Sequence, residues 1–136
     1  LRPWSDRVTS VGPVAPEAVV AELARCDAVV LPSHWENFPN ACWEAMAAAR
    51  MVVGSRAGGM AEVIRDGQDG LLVPPRRPRA IAAALERLLA SPGAAAAMAC
   101  SARQRILDRL GDDQVLPLQL QAYRRAMALG PGQGAP

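Results

Sequence analysis

The chain has 136 residues, 51% of them hydrophobic and 21% charged, which suits one globular domain and leaves no tract polar enough to demand disorder. A net charge of +2 with no long basic run argues against nucleic acid as a partner. No apolar run reaches the ~20 residues of a membrane span. Cys26, Cys42 and Cys100 are odd in number and widely spaced, and His34 is the lone histidine, so a reduced setting without structural zinc is expected.

Leu1 to Asp6 read as mid-domain sequence, which suggests a piece of something longer. "RVTSV", Arg7–Val11, reads as a strand ending at the turn Gly12-Pro13. In "PEAVVAELARC" Pro16 suits the first position of a helix, and Val19, Val20, Leu23 and Ala24 fall on one helical face. "DAVVLP", Asp27–Pro32, is a continuous apolar run, as expected of a strand covered on both sides. A loop and an Ala-rich helix over about Pro39–Ala49 follow, then a buried strand "MVVGS", Met51–Ser55. "RAGG" is a glycine loop, "MAEVIRDG" a short helix, and "GLLVP", Gly70–Pro74, a further strand. Strands alternating with helices at such intervals predict an α/β fold with a Rossmann-like parallel sheet and flanking helices.

The remainder is expected to be helical. Ile81, Leu85, Leu88 and Leu89 share one stripe, and Met98, Ala102, Ile106 and Leu110 recur every four residues on the next helix. A last helix is predicted from about Asp112 to Leu129, with Asp112 or Asp113 as N-cap and Pro117 weakening its early part. The tail 130–136 is expected to be disordered.

Two acids stand out. Glu36 lies in the polar loop after the strand Asp27–Pro32, and Glu44 lies on the helix that follows, four residues beyond Asn40 and on its face. In parallel sheets ligands bind at the carboxyl ends of strands, where loops enter helices. Pro39 suits the helix's first turn, so neighbouring N–H groups there would be unpaired and would attract phosphate. Carboxylates repel phosphate but accept hydrogen bonds from sugar hydroxyls. The spacing alone is equally that of a solvated helix glutamate and an ordinary loop. Gly58-Gly59 is either a plain turn or a close approach of backbone to ligand. His34 and Trp35 line the site or pack beside it, and Arg76, Arg77 and Arg79 read as a solvated helix start.

The stretch from Leu31 to Leu89 resembles the nucleotide-sugar-binding half of GT-B fold glycosyltransferases, in the retaining group called family 4 (group 1), and the likeness extends over nearly the whole chain, from Arg7 to about Tyr123. The resemblance rests on P-S-x-x-E-x-F-P-x-x-x-x-E-A-M-A with its E-x7-E pair Glu36 and Glu44. G-G-x-x-E-V-I (Gly58–Ile64), D-G-x-x-G-L-L-V-P-P (Asp66–Pro75) and an Ala/Leu helix follow in order. It implies the C-terminal part of a GT-B half-domain over 1–129, with a helical C-terminus. It implies transfer of a sugar from a nucleoside diphosphate to an acceptor with retention, the fragment alone being inactive. Glu36 would act at the donor sugar beside the reacting carbon, and Glu44 would hold the ribose. Ser33, Asn37, Phe38, Pro39, Asn40, Gly58 and Gly59 would complete the donor site, with the backbone of Asn37 to Pro39 cradling the diphosphate.

No cofactor and no metal is expected, the nucleotide sugar being substrate. The expected partners are that donor, an unidentified glycan or lipid-linked acceptor, and an N-terminal acceptor domain missing from this chain. The resemblance also implies a cytoplasmic enzyme of bacterial polysaccharide synthesis, with room for peripheral association at the inner face of the membrane. A non-catalytic or vestigial nucleotide-binding module, and a GT-B nucleotide-sugar epimerase, are the alternatives. One departure is local: where the family has Gly at the helix end and Pro opening the next strand, this chain reads Ala49-Arg50-Met51. Glycine is favoured there for its left-handed backbone, so a strained or shifted connection is expected.

Overall fold

Three apolar runs form the sheet of the computed structural model, which describes residues 6–129. They are β1 (Ala28–Leu31), β2 (Met51–Ser55) and β3 (Leu71–Val73), parallel throughout and in the order β1-β2-β3. Ala28 is opposite Met51 and Leu31 opposite Gly54, while Val53 faces Leu71 and Ser55 faces Val73. Helix α1 (Pro16–Ala24) precedes β1, α2 (Asn40–Ala47) links β1 to β2, and the single turn α3 (Met60–Val63) links β2 to β3. Helices α4 (Pro78–Ala90), α5 (Pro92–Leu110) and α6 (Asp112–Leu129) complete the chain. The tail expected at 130–136 lies outside the described residues.

Side chains alternate across a strand, and here they sort into two cores. Val52 and Leu72 face Cys42, Ala45 and Met46 of α2 and Met60 and Val63 of α3. Met51, Val53, Leu71 and Val73 point the other way, onto Ala84 and Ala99. Helix α5 joins both, with Ala99 in one cluster and Ala102 and Ile106 in the other. Alanine at positions 99 and 102 lets the helix lie close to the sheet in a chain poor in aromatics.

Several expectations change. Arg7–Val11 is no strand: its residues are exposed and form no ladder among the described residues. β1 is half-exposed at all four positions rather than covered on both sides, because it is an edge strand with a cavity of about 380 Å³ between it and α1. On α1, Val19 and Leu23 are half-buried, but Val20 and Ala24 face solvent. Leu89 leaves the stripe of α4 and is 79% exposed. At 3.6 residues per turn it sits about a quarter-turn from the face shared by Ile81, Ala84 and Leu88. The last helix begins at Asp112, with the N–H groups of Gln114 and Val115 donating to the Gly111 carbonyl, so Gly111 takes the cap position expected of an aspartate. Pro117 is accommodated inside the helix.

The D-G-x-x-G motif is a built turn. Asp66 accepts from Leu72 N at 2.9 Å and pairs with Arg56 Nη2 at 2.5 Å, tying the exit of β2 to the entry of β3. Asp69 has a fully buried side chain, which accepts from Arg65 N at 2.6 Å and Arg65 Nε at 2.5 Å. Arg105 of α5 approaches the same carboxylate at 3.4 Å and also donates to the Val63 carbonyl. Removing one partner of a buried pair leaves the other charge uncompensated, at a cost of about 3–5 kcal/mol.

The Ala49 connection is strained as expected. Ala49 N–H donates to Met46 O at 3.0 Å and Arg50 N–H to Ala45 O at 2.9 Å, which closes α2 in the manner of a glycine terminus. Ala49 accordingly has φ +52°. A side chain in that region costs roughly 1 kcal/mol or more. Ala49→Gly should therefore stabilise the chain by about 1 kcal/mol, net of its greater unfolded-state freedom. The midpoint of a urea melt would rise at unchanged slope, and an unchanged or lower midpoint would refute the strain.

Candidate functional site

The loop after β1 and the loop after β2 leave the same end of the sheet and meet there. Gly59 N–H donates to the Glu36 carbonyl at 2.7 Å. A Cβ on Gly58 would stand 2.2 Å from that oxygen, and one on Gly59 would stand 2.3 Å from Asn37 O. Gly58 also has φ +52°. Both glycines are thus required for close approach, though the backbone they approach is the Glu36 loop. That contact fixes Glu36, which is half-buried, beside the entry to α2.

Pro39 is buried and turns the chain into α2. Its φ of −81° and ψ of 76° form a three-residue turn in which Asn40 N–H donates to Phe38 O at 2.9 Å. Pro39 O then accepts from Cys42 and Trp43 N–H. The helix end is therefore less open than the sequence suggests, and Pro39 itself carries no donor. Among the described residues, the N–H groups of Asn37, Phe38 and Ala41 have no acceptor assigned. These three donors, at the positive end of the helix, can receive an anion.

Asn40 and Glu44 are exposed on α2, while Cys42, Ala45 and Met46 face the core. Ser33 is half-buried, and His34, Trp35 and Asn37 are exposed. Phe38 is 63% exposed, its ring 6.0 Å from that of Trp43. The structure thus brings Glu36, Asn37, Gly58 and Gly59 together, and carries Asn40 and Glu44 on the adjoining helix. The cavity beside α1 and a second, of about 450 Å³ under α4 and α5, are lined by none of these residues. Arg76, Arg77 and Arg79 are exposed where α4 begins, as expected.

Sequence reasoning missed the polar residues that support the site. Asp66, Asp69, Arg56 and Arg105 hold α3 and the turn before β3. The i,i+4 spacing of Arg65 and Asp69 was a legible signal for one pair, whereas Arg105 lies 36 residues away from Asp69. Cys42 belongs to this region but not to its chemistry. Burial, chiefly, and the nearby Asp69 carboxylate push its thiol up to about 12 from 9.0, against the opposing pull of Arg105.

The model for glycosyl transferases group 1 matches residues 1–91. The chain belongs to this family. It is 38% identical over 116 residues to a glycogen synthase of Mycobacterium tuberculosis, covering 85% of this chain and 28% of that protein. Sucrose-phosphate synthase from Thermosynechococcus elongatus superposes with a TM-score of 0.88 at 32% identity, covering 93% of this chain and 32% of that one. An Anabaena HepE structure in complex with UDP-glucose superposes at 0.81 with 25% identity, covering 92% and 33%. The chain therefore spans about a third or less of these relatives. Its α/β arrangement, a parallel sheet with flanking helices, is that of GT-B glycosyltransferases. Among the described residues no helix of this family member is long and apolar enough to cross a membrane.

Two measurements check the geometry. Gly59→Ala should lose about 1–3 kcal/mol in a urea melt, as overpacking does, whereas Gly93→Ala, where a Cβ meets nothing within 4 Å, should not destabilise. Equal effects would remove the close approach. In a thiol titration at pH 8, Cys26 and Cys100, both exposed, should react in the native protein, and buried Cys42 only after unfolding. Because the folded thiol holds its proton more tightly than the unfolded one, Cys42's contribution to stability is complete below pH 9.0 and is lost as pH rises toward about 12.

Proposed function

We propose that this chain is the donor-binding part of a retaining glycosyltransferase that uses a nucleoside-diphosphate sugar. The observation that carries the reading is the junction of the Glu36 loop, the start of α2 and Gly58-Gly59 at the carboxyl end of β1 and β2. Family membership supports it, as does the UDP-glucose named in the Anabaena HepE structure.

In this reading the N–H groups of Asn37, Phe38 and Ala41 receive the diphosphate at the positive end of α2. Their fixed orientation stabilises negative charge as it grows on the leaving group, when the bond from the anomeric carbon to phosphate oxygen breaks. Glu44, exposed one turn beyond Asn40, accepts both ribose hydroxyls. Glu36 accepts from hydroxyls of the sugar and sits beside the carbon that gains positive character. Its backbone is held from behind by Gly59, which fixes where the side chain leaves the loop. The sugar passes with retained configuration to a glycan or lipid-linked acceptor on a domain outside this chain. The whole enzyme would work in the cytoplasm, at the inner face of the membrane where its acceptor is lipid-linked.

Saturation-transfer NMR with UDP, GDP and ADP tests the site directly. Glu44→Ala should weaken binding by about 1.5–3 kcal/mol, the energy of hydrogen bonds to a charged group, and Gly93→Ala should leave it unchanged. Binding unaffected by Glu44→Ala would remove that residue from the site. In a full-length protein containing this segment, Glu36→Ala should abolish sugar transfer while nucleotide binding persists.

A further inference from the structure

The second cavity lies at the opposite end of the sheet from the glutamates, under the first residues of β1 and β2. It measures about 450 Å³, a size typical of small-molecule sites, which run to ~300–1,000 Å³. Met51, Leu85, Leu88, Ala95 and Ala99 form its apolar wall, and Pro92 closes it where α4 gives way to α5. Its polar rim consists of Asp27 and Arg50. Ala49-Arg50-Met51, the segment that departs from the family pattern, lines the cavity in full.

Arg50 is the informative residue. Its Nη1 donates to Cys26 O at 3.1 Å, its Nε is buried without an acceptor, and among the described residues it has no ion pair. That Nε is enclosed by protein, so a ligand in the cavity would meet the Nη groups instead, and a guanidinium is matched in shape by a carboxylate. Asp27 on the same rim would repel a dianion more strongly than a monoanion. The combination of an apolar wall, one unpaired guanidinium and one nearby acid fits a single negative charge on an apolar body.

We infer that this cavity binds a medium-chain monocarboxylate, its carboxylate on Arg50 and its alkyl chain between α4 and α5. The site is separate from the nucleotide-sugar site and does not depend on the function proposed above.

Amide chemical-shift mapping of the 136-residue chain with octanoate is the test. Octanoate should shift Arg50, Met51, Ala95 and Ala99 and leave Glu36 to Asn40 in place, with or without UDP. Arg50→Gln should weaken binding about tenfold or more, and 1-octanol should bind about tenfold more weakly than octanoate, as loss of a charged hydrogen bond predicts. Ala96→Trp, which fills the cavity from its α5 wall, should abolish binding while far-UV circular dichroism and the melting midpoint report an intact fold. Octanol binding as tightly as octanoate would reduce the cavity to an apolar packing gap. Absence of shifts at saturating octanoate, or displacement of octanoate by UDP, would overturn the inference.

Discussion

The buried carboxylate of Asp69 is the constraint on which this arrangement hangs. An ionised group with no solvent must be compensated on every side, and here the partners come from separate parts of the chain. Arg65 and its own backbone N–H supply two contacts, and Arg105 reaches in from α5. Arg105 also holds the Val63 carbonyl, so one guanidinium ties α5 to the end of α3 and to the turn that follows it. Apolar contacts alone would let α5 slide along the sheet, whereas a carboxylate needing these donors sets one position.

That fixed position is transmitted to the candidate site through α3. The helix is a single turn, closed at one end by Val63 and opened at the other by Gly58-Gly59. Gly59 donates to Glu36 O, and no side chain would fit between the two loops. Glu36 is thus located by backbone contacts over a rigid support, not by its own flexible chain. In the function proposed for this loop, such fixed placement of the backbone would be a form of preorganisation.

What could be read from the sequence divides along the same line. Strands β2 and β3, helices α2 and α4–α5, and the pairing of a loop acid with a helix acid follow from local pattern, because periodicity and turn chemistry act over a few residues. Arg7–Val11 shows the limit: an apolar alternation is a strand only when a neighbour takes its hydrogen bonds, and a neighbour is not a local property. β1 is the strand expected, but whether its two faces are covered depends on the elements packed against them, which is likewise not a local property. Gly58-Gly59 read as either a plain turn or a place of close approach, and only the fold shows that the Glu36 and Asn37 backbone is what it approaches. Arg105 carried no signal at all, its partners lying 36 and 42 residues away.

Helix α2 fixes the backbone offset between Glu36 and Glu44. It spans only eight residues, and each end is closed by its own backbone turn: the three-residue turn at Pro39 and the left-handed residue Ala49. With both ends fixed and Cys42, Ala45 and Met46 packed in the core, the helix can neither rotate nor advance without breaking its burial. The offset between Glu36 and Glu44 is therefore a property of the scaffold. The strain at Ala49 falls at the end of α2 remote from the open donors of Asn37, Phe38 and Ala41. It weighs on the stability of the fold and leaves the positive end of the helix, where an anion would bind, undisturbed.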